Sequence, residues 1–386
     1  MTVGPLTAAL QAHVARGDIS GAALRFRRQG ELAEDAAVGW ADIAGAQPVS
    51  PRSVFRLASL TKPVIAVAIM QFVEQGRLRL DDPVGHLIPA YGSTSVAHGA
   101  SVGWDWAARL PDSVDIVAAA RGVTIRDLLT HSSGLGQGPF SHPLINAASR
   151  PDQSLAARVD MYAGVPGDDH PGASAGYSPQ VGFDVLGRIV EILADADLQT
   201  ALRDRVLDPL GMVDTTFVLT ADQRDRLVTL YRHEHGALQD DNASEGARAM
   251  QSTPAGPHSG AAGLFSTVAD YDRFAQALAA GGTLDGFRIL NPASVAALSQ
   301  SRSTGARTLA PGLEWGLGVV VAVDDLDYRA PGAWGWSGAW GSHLVVDPRN
   351  QTTLTLMINR SDIGGADSAI SRELERIALA TYGCRR

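Results

Sequence analysis

The spacing of apolar residues changes twice along the chain. Near both ends it is typical of β-strands, at residues 22–28, 32–40, 316–323, 342–347 and 352–359. Between residues 60 and about 282 helical spacing dominates, at residues 123–130, 179–193, 198–207 and 268–280. Short helices are also predicted at residues 6–14 and 366–382. Sheet-forming segments therefore enclose a helical one.

This order predicts an α/β fold with a mostly antiparallel sheet built from the N- and C-terminal segments and flanked by helices. A large helical region is inserted into that sheet. Residues 1–60 and 283–386 are assigned to the sheet region and residues 61–282 to the mainly helical region. Together they would form one catalytic unit, with the active site in the cleft between them.

Composition narrows the class of protein. The 386 residues are 45% hydrophobic and 19% charged, which is ordinary for a soluble globular enzyme. The net charge is -9 and no basic run appears, so a nucleic-acid surface has no electrostatic footprint. Small molecules are the expected partners.

Three features favour the cytoplasm. Cys384 is the only cysteine, which excludes an internal disulfide and a cysteine-based metal site. Residues 1–13 lack the basic patch and apolar core of a secretory signal. The most apolar run, residues 64–73, is about half the ~20 residues of a membrane span. No contact with a membrane is expected.

One residue needs its own explanation: Lys62 is the only lysine among 32 basic residues. Pro63 is tolerated only in the first helical turn, so a helix is expected to begin close to Ser59. Backbone N–H groups at a helix start favour a developing oxyanion. Lys62 lies three residues after Ser59, within reach of its hydroxyl. The pair is a candidate nucleophile and base.

A lysine acts as a base only when it is neutral. Its pKa must fall from ~10.4 toward ~7–8, and burial in the apolar segment would lower it. Arginine stays protonated, which explains a lysine at this one position. The alternative is an ordinary serine at a helix start followed by a lysine whose stem covers apolar surface.

The sequence around these residues resembles a known family. Residues 59–62, S-L-T-K, match the S-x-x-K motif of the serine β-lactamase and penicillin-binding protein superfamily. Residues 126–135, 261–278 and 334–348 are similar to its recurring blocks. The likeness is strongest to the branch that contains class C β-lactamases and family VIII carboxylesterases, and it covers nearly the whole chain.

The resemblance implies that Tyr177, in the sequence Tyr177-Ser178-Pro179, completes the catalytic group. Either Lys62 or Tyr177 could take the proton of Ser59 and later deliver it to the leaving group. Pro179, expected at the first position of a helix, stands where lactamases have an asparagine that contacts an acylamino substrate. The alternative for Tyr177 is an aromatic residue packed at a helix entrance.

The third family motif, K-T-G, aligns with Trp336-Ser337-Gly338, which the resemblance assigns to substrate binding. The lysine that receives a substrate carboxylate is absent, and W-x-G is similar to the carboxylesterase branch. The backbone N–H groups of Ser59 and Ala339 would form the oxyanion hole. Alternatively, Trp336 only caps the edge of the sheet.

Other serine and histidine patterns compete with this interpretation. Residues 99–103 satisfy G-x-S-x-G around Ser101, but the flanking sequence lacks the strand and helix of a nucleophile elbow, so a surface loop is expected. His131 could act as a base with Ser133 nearby, but both follow a helix end and are expected to shape the cleft. His233-Glu234-His235 lacks a third ligand, so it predicts a solvated turn. No metal or cofactor is expected.

The sequence predicts a serine hydrolase that cleaves carboxylic esters through an acyl-enzyme on Ser59, with Lys62 and Tyr177 as general base and acid. A β-lactamase, a D-amino-acid peptidase or amidase, and an acyltransferase to an alcohol remain alternatives on the same fold. A non-catalytic binding homologue is a remote alternative. The acyl chain, the alcohol, the pathway and the oligomeric state stay open.

Overall fold

The protein is described by a computed structural model, which covers residues 3–98, 114–150, 152–249, 258–302, 310–364 and 368–383. Its strands are β1 (Gly21–Arg28), β2 (Glu31–Asp42), β3 (Gln47–Pro48), β4 (Phe55–Arg56), β5 (Ser95–His98), β6 (Asp115–Ala118), β7 (Tyr231–Glu234), β8 (Ala237–Asp240), β9 (Phe265–Ser266), β10 (Thr283–Leu284), β11 (Phe287–Arg288), β12 (Leu313–Trp315), β13 (Val320–Ala322), β14 (Trp334–Ser337), β15 (His343–Asp347) and β16 (Thr352–Ile358).

The helices of the described segments are α1 (Pro5–Ala15), α2 (Thr61–Glu74), α3 (Ile125–Leu129), α4 (Ser141–Ala148), α5 (Leu155–Ala163), α6 (Val181–Ala194), α7 (Leu198–Leu202), α8 (Ala221–Asp225), α9 (Glu245–Ala249), α10 (Val268–Ala279), α11 (Pro292–Leu298) and α12 (Ala369–Tyr382). A 3-10 turn at Ala58–Leu60 leads into α2.

Eight antiparallel strands form the main sheet, in the order β12-β13-β14-β15-β16-β1-β2-β3. The first five strands in this order come from the C-terminal segment and the last three from the N-terminal segment. Strand β1 pairs with both β2 and β16, so the two segments meet in the middle of the sheet. The predicted fold class is confirmed.

Side chains of β1 alternate between two apolar layers, as the two-residue period of a strand requires. Leu24 and Phe26 join the layer under α1 and α12, whereas Ala23 joins the larger core that contains α2, α6 and α10. Residues Thr61 to Phe72 of α2 are all buried, which is why its sequence is apolar on every face.

Three predicted elements differ from the structure. Residues 316–323 are not one strand, because Gly316 N–H donates to Val319 O at 2.9 Å in a turn between β12 and β13, and Gly318 has a φ of +78°. Pro179 is not the first helical residue, since α6 begins at Val181. Residues 203–207 form a π-helical turn after α7. The boundary between regions at residues 60 and 282 stays a prediction.

No helix in the described part of the chain combines the length and the apolar composition needed to cross a membrane.

Candidate active site

Ser59 lies in the 3-10 turn that precedes α2, and several bonds fix this turn. Leu57 N–H donates to Leu264 O at 2.9 Å, and the hydroxyl of Tyr271 donates to Leu60 O at 2.6 Å. Ala58 has a φ of +48°, a conformation that costs energy for a residue with a side chain. Tertiary contacts, not local preference, therefore hold the segment that presents Ser59.

Lys62 occupies the first turn of α2 and is fully buried. Its Nζ donates to Ser59 Oγ at 3.0 Å, to Pro179 O at 2.9 Å and to Ala261 O at 2.8 Å. Burial lowers the pKa of Lys62 to about 7, and the charge of Asp184 opposes this shift. The amine is therefore divided between its charged and neutral forms near neutral pH.

The two carbonyl oxygens determine how a neutral Lys62 would point. A carbonyl can only accept, so the oxygens of Pro179 and Ala261 retain the two N–H groups of a neutral amine. The nitrogen lone pair is then directed at Ser59 Oγ. The same site suits the ammonium form, which donates all three hydrogens. The arrangement can thus exchange a proton with Ser59 without moving the lysine.

Tyr177 approaches Ser59 from its other side, with its Oη 2.6 Å from Ser59 Oγ. The residue is half-buried, and burial raises its pKa to about 12, partly offset by the hydrogen bond with Ser59. The phenol is therefore protonated at neutral pH. Its ring stacks on Trp315 at 6.0 Å and lies 5.3 Å from the ring of Trp336.

The W-S-G motif ends β14 beside the Ser59 turn. Trp336 is 4% exposed, and its ring packs against the rings of Trp315 and Tyr177. Ser337 is on the opposite face of the strand, where its hydroxyl bonds His343 Nδ1 at 2.6 Å. The structure does not bring the side chain of Ser337 to Ser59.

Gly338 allows β14 to approach the Ser59 turn closely. A Cβ at this position would lie 2.2 Å from Leu57 O and 2.1 Å from the hydroxyl of Ser342. That hydroxyl donates to Leu57 O at 2.7 Å and fastens the two segments together. Ala339 follows in an exposed turn. The family pattern thus has a steric reason here, because only glycine permits this contact.

Asp184 is a polar residue of the site that the sequence analysis missed. It is buried in α6 and accepts hydrogen bonds from Ser259 Oγ at 2.6 Å, Tyr162 Oη at 3.1 Å and Ala261 N at 3.2 Å. Ala261 in turn binds Lys62 through its carbonyl oxygen. An acidic residue on the apolar face of a predicted helix was the available signal.

The competing motifs have different outcomes. Ser101 and the rest of residues 99–103 lie outside the described residues. His233 and Glu234 lie in β7 and only His235 lies in the turn to β8, so the predicted turn contains one of the three residues. Within the described segments, no group of three or more His, Cys, Asp or Glu side chains could hold a metal ion. His131 is buried beside Tyr177, with ring centroids 5.0 Å apart.

Known proteins match the chain over most of its length. An uncharacterized protein of Mycobacterium tuberculosis (strain CDC 1551 / Oshkosh) is 33% identical over 374 residues, covering 92% of this chain and 89% of that protein. Esterase EstB of Burkholderia gladioli is 30% identical over 368 residues, covering 88% and 86%. The solved structure of EstCE1, described as a hydrolase with promiscuous acyltransferase activity, superposes with a TM-score of 0.81 at 26% identity, covering 98% and 97%.

The family comparison covers the same part of the chain as these relatives. The Beta-lactamase family profile matches residues 6–377, which include every strand of the main sheet and the whole Ser59 environment. This chain therefore belongs to the Beta-lactamase family.

Proposed function

We propose that this chain is a serine hydrolase that cleaves carboxylic esters through an acyl-enzyme on Ser59. One observation carries the proposal: the hydroxyl of Ser59 is shared between a buried amine, 3.0 Å away, and a phenol, 2.6 Å away. An activated serine needs a neighbouring base and a proton donor, and these two groups supply both. The relatives named esterase and hydrolase support the same reaction class.

The first half of the reaction acylates Ser59. Neutral Lys62 takes the hydroxyl proton while Ser59 Oγ attacks the ester carbonyl carbon, which forms one C–O bond and places the negative charge on the carbonyl oxygen. The N–H groups of Ser59 and Ala339 are the proposed donors to this oxyanion. When the ester C–O bond breaks, Tyr177 protonates the departing alkoxide and regains a proton from Lys62. An alcohol leaves, and the acyl group remains on Ser59.

The second half repeats these proton transfers with water. Water attacks the acyl carbonyl carbon and loses a proton to the Lys62–Tyr177 pair. The C–O bond to Ser59 then breaks, and the pair returns that proton to Oγ. The products are a carboxylic acid and the free enzyme. Trp336 and Gly338 are proposed to border the substrate, whereas Ser337 contributes backbone only, because its hydroxyl bonds His343.

Acyl transfer to an alcohol is the second candidate function. An alcohol in place of water would attack the same acyl-enzyme and give a new ester, and the EstCE1 relative is described as having acyltransferase activity. Amide and β-lactam substrates are less favoured. Trp336 stands where the family has a lysine for the substrate carboxylate, and Pro179 stands where it has an asparagine amide.

The proposed substrate is a small-molecule ester, and no cofactor is required by these steps. The cytoplasm is the proposed compartment, because a chain with one cysteine forms no internal disulfide.

A fluorophosphonate probe tests the nucleophile, since it reacts with a serine that is activated and faces an oxyanion hole. Trypsin places the two candidate serines in different peptides, Ser59 in residues 57–77 and Ser101 in residues 80–109. We expect one label per chain, on the first peptide, lost in Ser59→Ala and kept in Ser101→Ala. A label on the second peptide would overturn the assignment.

A substrate comparison tests the reaction class. A short-chain chromogenic ester should be hydrolysed far faster than a penicillin or a cephalosporin. Adding an alcohol to the ester reaction and quantifying the new ester measures transfer against hydrolysis. Cephalosporin turnover equal to that of a good ester would contradict the proposal.

A further inference from the structure

His131 is held in an unusual place for a histidine. It follows α3 with a φ of +53°, in the left-handed region, and it is 1% exposed. Its ring lies 4.2 Å from the ring of Trp315 and 5.0 Å from that of Tyr177. The proposed reaction gives it no step, although it lies against the proton donor.

Two hydrogen bonds attach His131 to the residues on either side of Tyr177. The main-chain oxygen of His131 accepts from Gly176 N–H at 2.8 Å, and its Nδ1 accepts from Ser178 N–H at 3.2 Å. The backbone N–H groups on both sides of Tyr177, those of Gly176 and Ser178, therefore donate to the same residue, His131. A displacement of His131 would strain both hydrogen bonds that flank the tyrosine.

The histidine ring works here as an acceptor. A backbone N–H can only donate, so Nδ1 must be unprotonated and the ring proton must sit on Nε2. Burial, together with the charge of Lys62, holds the pKa of His131 well below its usual range, so the ring stays neutral. Nε2 is buried without a hydrogen-bond partner in the described structure. A purely apolar residue would avoid that unpaired atom but would lose the acceptor for Ser178.

We propose that His131 is a positioning residue that fixes Tyr177 against Ser59 through the amides of Gly176 and Ser178. The inference rests on the proposed function, because the proposed function makes Tyr177 the proton donor at Ser59. His131 does not touch the reacting atoms itself. Substituting His131 should therefore affect the reaction only through Tyr177. An effect that depends on Tyr177 can be distinguished from a general loss of packing.

Two substitutions separate the acceptor from the bulk of the ring. His131→Leu keeps much of the volume and removes the acceptor. His131→Asn keeps an acceptor near the Nδ1 position and tolerates a positive φ. Because misplacing a catalytic group by about 1 Å costs about 10²-fold, we expect His131→Leu to lower kcat about 10- to 100-fold with KM changed less than about threefold. His131→Asn should recover most of this loss.

Coupling to Tyr177 is the decisive measurement. The rate constant for fluorophosphonate labelling of Ser59 can be measured across several decades, in wild type and in Tyr177→Phe. We expect His131→Leu to slow labelling about 10- to 100-fold in wild type and less than about threefold in Tyr177→Phe, because the group it positions is already gone. Equal losses in both backgrounds, or no loss in wild type, would overturn the inference.

Controls distinguish failure of this inference from a general loss of stability and from failure of the proposed role of Tyr177. His13→Leu removes another buried histidine, which bridges Asp18 and Glu373 on the α1 side of the sheet, and it should lower thermal stability without changing kcat. Wild-type kcat in Tyr177→Phe would refute the proposed role of the tyrosine itself. Should His131→Leu fail to fold, His131→Gln takes its place, since its amide extends beyond the Nδ1 position and should give the same loss.

Discussion

The neutral fraction of Lys62 should set the pH dependence of the reaction. The pKa of this lysine falls from an ordinary 10.5 to about 7 in the folded protein. At pH 7 an ordinary lysine would be neutral in roughly one molecule in 3,000, whereas Lys62 would be neutral in about half of them. Burial thus raises the population of the proposed base by about 10³-fold.

Two results follow for ester hydrolysis. In wild type, kcat/KM should rise about tenfold per pH unit below pH 7 and level off above it. Lys62→Arg should lose at least about 10³-fold in kcat, because a guanidinium stays protonated and is too large for the space bounded by Pro179 and Ala261. The assay is initial-rate hydrolysis of a chromogenic ester between pH 5 and 9, on protein whose folding is verified by circular dichroism.

Asp184→Asn tests whether the pKa of Lys62 sets the pH dependence of kcat/KM. The Asp184 carboxylate favours the charged form of Lys62, so its removal should move the rise in kcat/KM to lower pH. Asparagine retains an oxygen that can accept from Ala261 N–H. A flat profile between pH 5 and 8 in wild type, or near-wild-type activity in Lys62→Arg, would refute the reasoning.

Two further predictions concern the Ser59 turn and the stability of the fold. Gly338→Ala should lower kcat about 10²-fold, because its Cβ would displace the Leu57 carbonyl beside Ser59. The control is Gly122→Ala, whose Cβ would have its nearest neighbour 3.9 Å away and which should leave ester hydrolysis unchanged. Equal effects of the two substitutions on kcat would contradict this prediction. Between about pH 7 and 10 the unfolded chain holds a proton on Lys62 that the folded chain lacks. The free energy of unfolding, measured by urea titration, should therefore rise with pH by at most about 1.4 kcal/mol per pH unit. The same titrations of Lys62→Met should lack this rise.

The sequence could predict the parts of the site that are local. Ser59 and Lys62 share one helical turn, so spacing alone puts the amine near the hydroxyl. Tyr177 lies far along the chain, and only the resemblance to a family indicated it. Alternation along β14 could have placed Ser337 opposite Trp336, since successive side chains of a strand point to opposite faces.

The parts that could not be predicted depend on tertiary contacts. Nothing local links Asp184 to Lys62, because the connection runs through the backbone of Ala261. The hydrogen bonds between His131 and the residues flanking Tyr177 likewise join positions that are distant in the sequence. The apolar run at residues 316–323 reads as one strand, and only the turn at Gly316 divides it. Such arrangements are set by the packed structure and leave no periodic pattern in the chain.

The pairing of β1 with β16 has a consequence for synthesis. Ala22 lies opposite Ile358, so nearly the whole chain must leave the ribosome before β1 acquires that partner. Until then the β1–β2 hairpin presents an open edge of unpaired backbone groups and apolar side chains, the kind of surface that recruits strands from other molecules. Nascent chains that stop short of β16 should therefore be prone to aggregate and should depend on chaperones, however well their helices have formed.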